Sequence, residues 1–196
     1  MTDYFALLDQ PRAPWLDQAK LKEVFRQRTL VEHPDSQRNR SSGEKSESTF
    51  LKLNEAYQVL SDPKRRLHHL LSLEGHAPSS NDQIIPKELH DLFPEIGALS
   101  QKTKKLLEET RATSNALSRA LLKPRILEAQ NETAEVREKL HGFEEMALTE
   151  LHRINESWVK DSTERIEGLS NLYFVFAYLN RWSAQLDEMA FQLSLL

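Results

Sequence analysis

Apolar positions recur every three to four residues along most of the chain, the spacing of amphipathic helices rather than of strands. Tyr4 to Leu8 form a short apolar segment that ends at Pro11 and Pro14. A second helix is predicted from Leu16 or Asp17 to Glu32, with Leu21, Val24, Phe25 and Val31 near one face. It cannot run much further, because Pro34 disfavours helical geometry at His33. Ser36 to Ser48 is polar, contains Gly43 and reads as a loop. Phe50, Leu53, Ala56, Tyr57 and Leu60 form the stripe of a third helix starting near Glu47. Ser61-Asp62-Pro63 opens a fourth, with a capping side chain followed by proline at the first helical position. That helix runs through Leu67, Leu70, Leu71 and Leu73 and stops at Gly75, a C-cap residue.

Residues 76–86 have linker composition, which divides the chain into a helical domain 1–75 and a second domain 87–196. The second holds three long patterns. Leu89, Phe93, Ile96, Leu99, Leu106, Leu117 and Leu121 make the first, with Lys123-Pro124 predicted to end it. Ile126, Val136, Leu140, Phe143, Ala147, Leu151, Ile154 and Trp158 make the next. Asp161-Ser-Thr-Glu164 reads as a capping box before Ile166, Leu169, Tyr173, Phe176, Leu186, Ala190 and Leu193. Each helix is too long to stand alone in water, so an all-α fold ending in an antiparallel three-helix bundle is expected. Burial at roughly 1.5–3 kcal/mol for each large apolar side chain offsets the entropy of ordering it.

Composition narrows the chemistry. Of 196 residues, 29 % are charged and only 5 are glycine, which suits helices. The net charge of −4 excludes a dedicated nucleic-acid binder. With no cysteine, disulfides, thiolate nucleophiles and cysteine-ligated metals are excluded. No apolar run reaches membrane-span length and no signal-like segment precedes Asp3, so a cytoplasmic location and no membrane partner are expected. His68, His69, His76 and His90 cluster in sequence, but adjacent histidines on a helix point in different directions, and neither a metal site nor a cofactor is expected. There is no phosphate-cradling glycine loop, and the chain does not read as an enzyme.

His33-Pro34-Asp35 draws its meaning from its context. Asp3-Tyr-Phe-Ala-Leu7 precedes it, a helix bearing Lys20, Lys22, Arg26 and Arg28 leads into it, and Phe50-x-x-Leu-Asn-Glu-Ala-Tyr57-x-x-Leu60-x-Asp-Pro-x-Arg65 follows. Together these resemble the J-domain along its whole length. Pro34 fixes its own φ and stiffens the bend, while Asp35 lies near the negative end of the preceding helix, where a carboxylate gains nothing locally. The resemblance implies docking on a DnaK-type ATP-dependent chaperone whose ATPase it stimulates. Asp35 would then be the trigger, held by His33 and Pro34, with Lys22 and Arg26 steering the approach. Taken without the motif, those two cations read as a solvated helix face.

Asp3-Tyr-Phe-x-Leu, Pro11, Leu16-Asp17 and Leu70-Leu-Ser-Leu-x-Gly75 look further like the HscB type of co-chaperone, which serves iron–sulfur cluster biogenesis. So does the order of an N-terminal J-domain and a C-terminal bundle with no Gly/Phe-rich linker between them. That resemblance implies an HscA-type chaperone as partner and an IscU-like scaffold protein as client. Leu92, Phe93 and Ile96 match the apolar client-binding positions and Tyr178 the aromatic one; Leu92, Phe93 and Ile96 read equally well as bundle core. The expected acidic positions are Gly97 and Ser100, the expected Arg is Ala177, and Pro94 interrupts the segment. In the J-domain, Arg28 replaces a usual Leu, Glu32 a usual Tyr and Ser36 a frequent Lys. The alternative reading is a J-like interaction scaffold, or a J-protein with another client and no role in iron–sulfur assembly.

Overall fold

The computed structural model describes residues 2–32, 43–78, 86–156, 158 and 163–196, and of residues 32, 43–47, 163 and 164 the backbone alone. Seven α-helices occupy them: α1 (Tyr4–Leu7), α2 (Gln18–Glu32), α3 (Gly43–Ser61), α4 (Pro63–Leu73), α5 (Leu92–Ala112), α6 (Ala116–Glu156) and α7 (Thr163–Ser194). They form two compact units. The first comprises Met1–Asp82 with Thr149–Tyr173, and the second Gln83–Leu148 with Phe174–Leu196, so α6 and α7 contribute to both.

In the first unit the caps follow from sequence. The Asp3 carboxylate accepts from the Phe5 and Ala6 amides, Asp17 from Ala19 and Lys20, and Asp62 from Arg65. Pro63 takes the first position of α4, where its missing N–H has no intrahelical use. At the other end Gly75 adopts φ 81°, and the amides of His76 and Gly75 return to the carbonyls of Leu71 and Ser72. This pair of bonds is a Schellman closure, which needs the left-handed residue glycine provides. Phe5, Leu8, Leu21, Leu53, Leu60 and Leu70 fill the core. Phe25 stacks on Tyr57 at 4.3 Å between ring centroids and locks α2 to α3.

The second unit is the antiparallel bundle. Ion pairs Lys102–Glu132, Lys139–Glu95 and Arg125–Glu109 run α5 against α6 in opposite directions. Gln130 donating to the Leu193 carbonyl and Arg137 pairing with Asp187 do the same for α6 and α7. Leu106, Ala129 and Leu193 meet in its core, all fully buried.

Several expectations are corrected. The first bundle helix ends at Ala112 rather than at Pro124, because Asn115 caps a new helix through the Leu117 amide. Pro124 lies inside α6 on its exposed side, where the Ala120 carbonyl it leaves without a helical donor faces the solvent side of the helix. Leu117, Leu121 and Val31 are exposed instead of buried. Helix α3 starts at Gly43, four residues before the predicted start, and Trp158 lies beyond the last residue of α6, its amide bonded to the Asn155 carbonyl. Pro94, read as an interruption, occupies the first turn of α5, where amides lack helical acceptors.

Candidate docking surfaces

The first candidate surface lies on α2. Leu21, fully buried, and the Phe25–Tyr57 stack hold one side of this helix inward. Lys22 and Arg26, one turn apart, are therefore exposed together. Arg26 forms a two-pronged pair with Glu23, its Nε at 3.0 Å from one carboxylate oxygen and its Nη2 at 2.9 Å from the other. That pairing lowers the Glu23 pKa and raises that of Arg26. Arg28 turns aside to pair with Asp9. His33, Pro34 and Asp35 follow directly after Glu32, the last residue of α2, and lie outside the described residues, as does Ser36.

Two polar residues that periodicity alone did not single out hold the scaffold behind this surface. Arg66 is 1 % exposed; its Nε donates to the Pro14 carbonyl at 2.8 Å and its Nη1 to the Leu60 carbonyl at 2.6 Å. It ties the loop entering α2 to the C-terminal turn of α3, whose last carbonyls lack helical donors. Burial lowers its pKa to about 10, opposed by the nearby Asp62 carboxylate. It therefore stays charged at neutral pH. Its spacing from Leu70, one helical turn, was the signal that it faces inward. His69 is buried as well, its ring stacked on Tyr4 and Phe5, and burial lowers its pKa. His68 instead meets the Tyr173 ring at 5.7 Å. Among the described residues no group of three or more His, Asp and Glu side chains could hold a metal ion.

Residues from the C-terminal end of α6 and just beyond it also belong to this unit. Asn155 Oδ1 accepts the Trp15 amide at 3.3 Å, the Trp15 ring meets His152 edge-on, and Trp158 Nε1 donates to the Arg12 carbonyl at 3.1 Å.

The second candidate surface lies on the bundle. Leu92 and Ile96 are each 2 % exposed and belong to the core, whereas Phe93 is 57 % exposed. One turn on from Phe93 is Gly97, beside which nothing approaches within 4 Å. Of the α5 trio, Phe93 alone is exposed. Tyr178, half-buried on α7, packs against Trp182 at 5.4 Å between ring centroids.

Residues 3–69 match the model of the DnaJ domain family. Over 84 residues the chain is 42 % identical to the chaperone protein DnaJ of Caulobacter vibrioides, covering 42 % of this chain and 20 % of that one. It is 28 % identical over 133 residues to a co-chaperone protein HscB homolog of Chromobacterium violaceum, covering 61 % of this chain and 76 % of the relative. The chain thus spans a quarter or less of the length of the DnaJ chaperones first among its relatives. The crystal structure of human co-chaperone protein HscB superposes with a TM-score of 0.60 at 20 % identity, covering 95 % of this chain and 81 % of that one, a likeness of fold.

Proposed function

The chain carries a J-domain of the DnaJ family over residues 3–69 and shares its fold with HscB, and on that premise we propose that it is a co-chaperone stimulating the ATPase of a DnaK/HscA-type chaperone. The observation that supports this reading is the position of His33-Pro34-Asp35 in the sequence, within the matched domain and directly after the last residue of α2, a helix whose Lys22 and Arg26 are exposed together. The two cations steer the helix onto an acidic face of the chaperone, and long-range attraction of this kind raises the rate of encounter. Asp35 then engages an Arg of the chaperone, with His33 and Pro34 holding the bend. In steady-state ATPase assays the chain accelerates hydrolysis by the cognate chaperone, and Asp35→Asn abolishes the effect. Equal rates with both proteins would sink the proposal.

The client delivered is an IscU-like iron–sulfur scaffold, bound on the bundle through Phe93 and Tyr178. Calorimetric titration of the full chain with such a scaffold tests this; saturable binding weakened by Phe93→Ala or Tyr178→Ala supports it. A second reading, a J-protein serving another client, is favoured by Gly97, Ser100 and Ala177 standing where an HscB-like surface has charge, and by the burial of Leu92 and Ile96. No binding of the scaffold by a folded chain selects that second reading.

A further inference from the structure

The first three turns of α6 are apolar on two opposite faces. Leu122 and Ile126 point into the bundle and are buried, and the same side continues further along the helix at the buried Ala129 and Thr133. On the other side Leu117 is 70 %, Leu121 69 % and Leu127 59 % exposed, with Ala120 and Pro124 exposed among them. The spacing 117, 120, 121, 124, 127 keeps all five on one side of a helix. A helix face meant for water carries charge there, and an apolar stripe of this kind marks an interaction site. It spans eleven residues, about 16 Å of helix at ~1.5 Å each, the reach of one partner helix with anchors at i, i+3 or i+4, and i+7.

The charge around the stripe defines the occupant. From Thr110 to Leu127 the sequence holds four basic residues and no acidic one. Arg125 is neutralised by Glu109 and Arg119 donates to the Thr113 carbonyl, while Lys123 is exposed beside the stripe with no ion pair among the described residues. A second copy of the chain would bring this basic rim against itself, which like-charge repulsion opposes. We propose that Leu117, Leu121, Pro124 and Leu127 dock an amphipathic helix of a protein partner whose apolar face is flanked by carboxylates. This surface is distinct from Phe93 and Tyr178 and does not depend on the client reading.

Fluorescence anisotropy of the full chain tests it with a labelled 18-residue helical peptide carrying leucine on one face and glutamate along both flanks. Its twin replaces every glutamate with lysine. The glutamate peptide binds saturably, the lysine twin does not, and both Leu117→Ser/Leu121→Ser and Lys123→Glu raise Kd about tenfold or more with unchanged helicity. No saturation up to about 1 mM, equal binding of the twin, or unchanged Kd in both variants overturns the proposal. So does wild-type dimerisation, or binding to phosphatidylglycerol vesicles, that the double serine variant alone removes, since each names a different occupant.

Discussion

The Nε2 of His69 on α4 accepts the backbone N–H of Tyr4 at the start of α1, at 3.1 Å, across 65 residues of sequence. An imidazole can accept there only when that nitrogen is unprotonated, so the hydrogen bond selects the neutral ring. Stacking on Tyr4 and Phe5 removes water from the same ring.

This arrangement makes the first unit acid-sensitive. Burial holds the His69 pKa below its ordinary 6.5, while the nearby Asp3 carboxylate works the other way. The unfolded chain therefore binds a proton that the folded chain resists, and the His69 contribution, complete above 6.5, is lost as pH falls through that value towards the folded one. Thermal unfolding at pH 7.5 and pH 5 is expected to show a drop in Tm that is smaller in His69→Gln. An identical drop in both proteins would remove His69 as its source.

Arg66 is expected to be the costliest single polar truncation in the same unit. Arg66→Ala strands the Pro14 and Leu60 carbonyls, at about 1–3 kcal/mol for each buried group left unsatisfied. Arg66→Lys keeps the charge but cannot reach both acceptors with a planar fork, and should recover only part of the loss. Urea midpoints within error of the wild type for both variants would contradict this role.

Thr103 offers the opposite case. Its Oγ1 is buried in the bundle and has no hydrogen-bond partner among the described residues. Valine is nearly the same shape and carries no hydroxyl to desolvate, so Thr103→Val is expected to stabilise the bundle by about 1 kcal/mol. A lowered Tm would show that the hydroxyl is satisfied in solution.

Much of this was legible in the chain because caps are local chemistry. Asp62-Pro63 and Gly75 bound α4 from sequence alone, and the structure shows the bonds that make them do so. The start of α6 was not legible for a reason of geometry. Leu106 and Leu117 are eleven residues apart, almost a whole number of helical turns, so the stripe continues in phase across the break at 113–115. Pro124 then reads as the natural stop, although on the exposed side of a helix its missing N–H is tolerated. Buried and exposed members of a short apolar run are equally hard to separate by spacing: Leu92, Phe93 and Ile96 look alike in sequence, yet their exposures diverge. Arg66 and His69 were hidden because polarity argues for the surface until the carbonyl and amide they serve are known.

The most direct measurement of the central claim is ATP hydrolysis by a DnaK/HscA-type chaperone followed against rising concentration of this protein. The account predicts a saturable acceleration by the wild type. It predicts a curve displaced to higher concentration for Lys22→Glu/Arg26→Glu, which reverses the charge of two exposed side chains of α2, and no acceleration by Asp35→Asn at any concentration. A flat wild-type curve, or an Asp35→Asn curve that overlays it, would contradict the account.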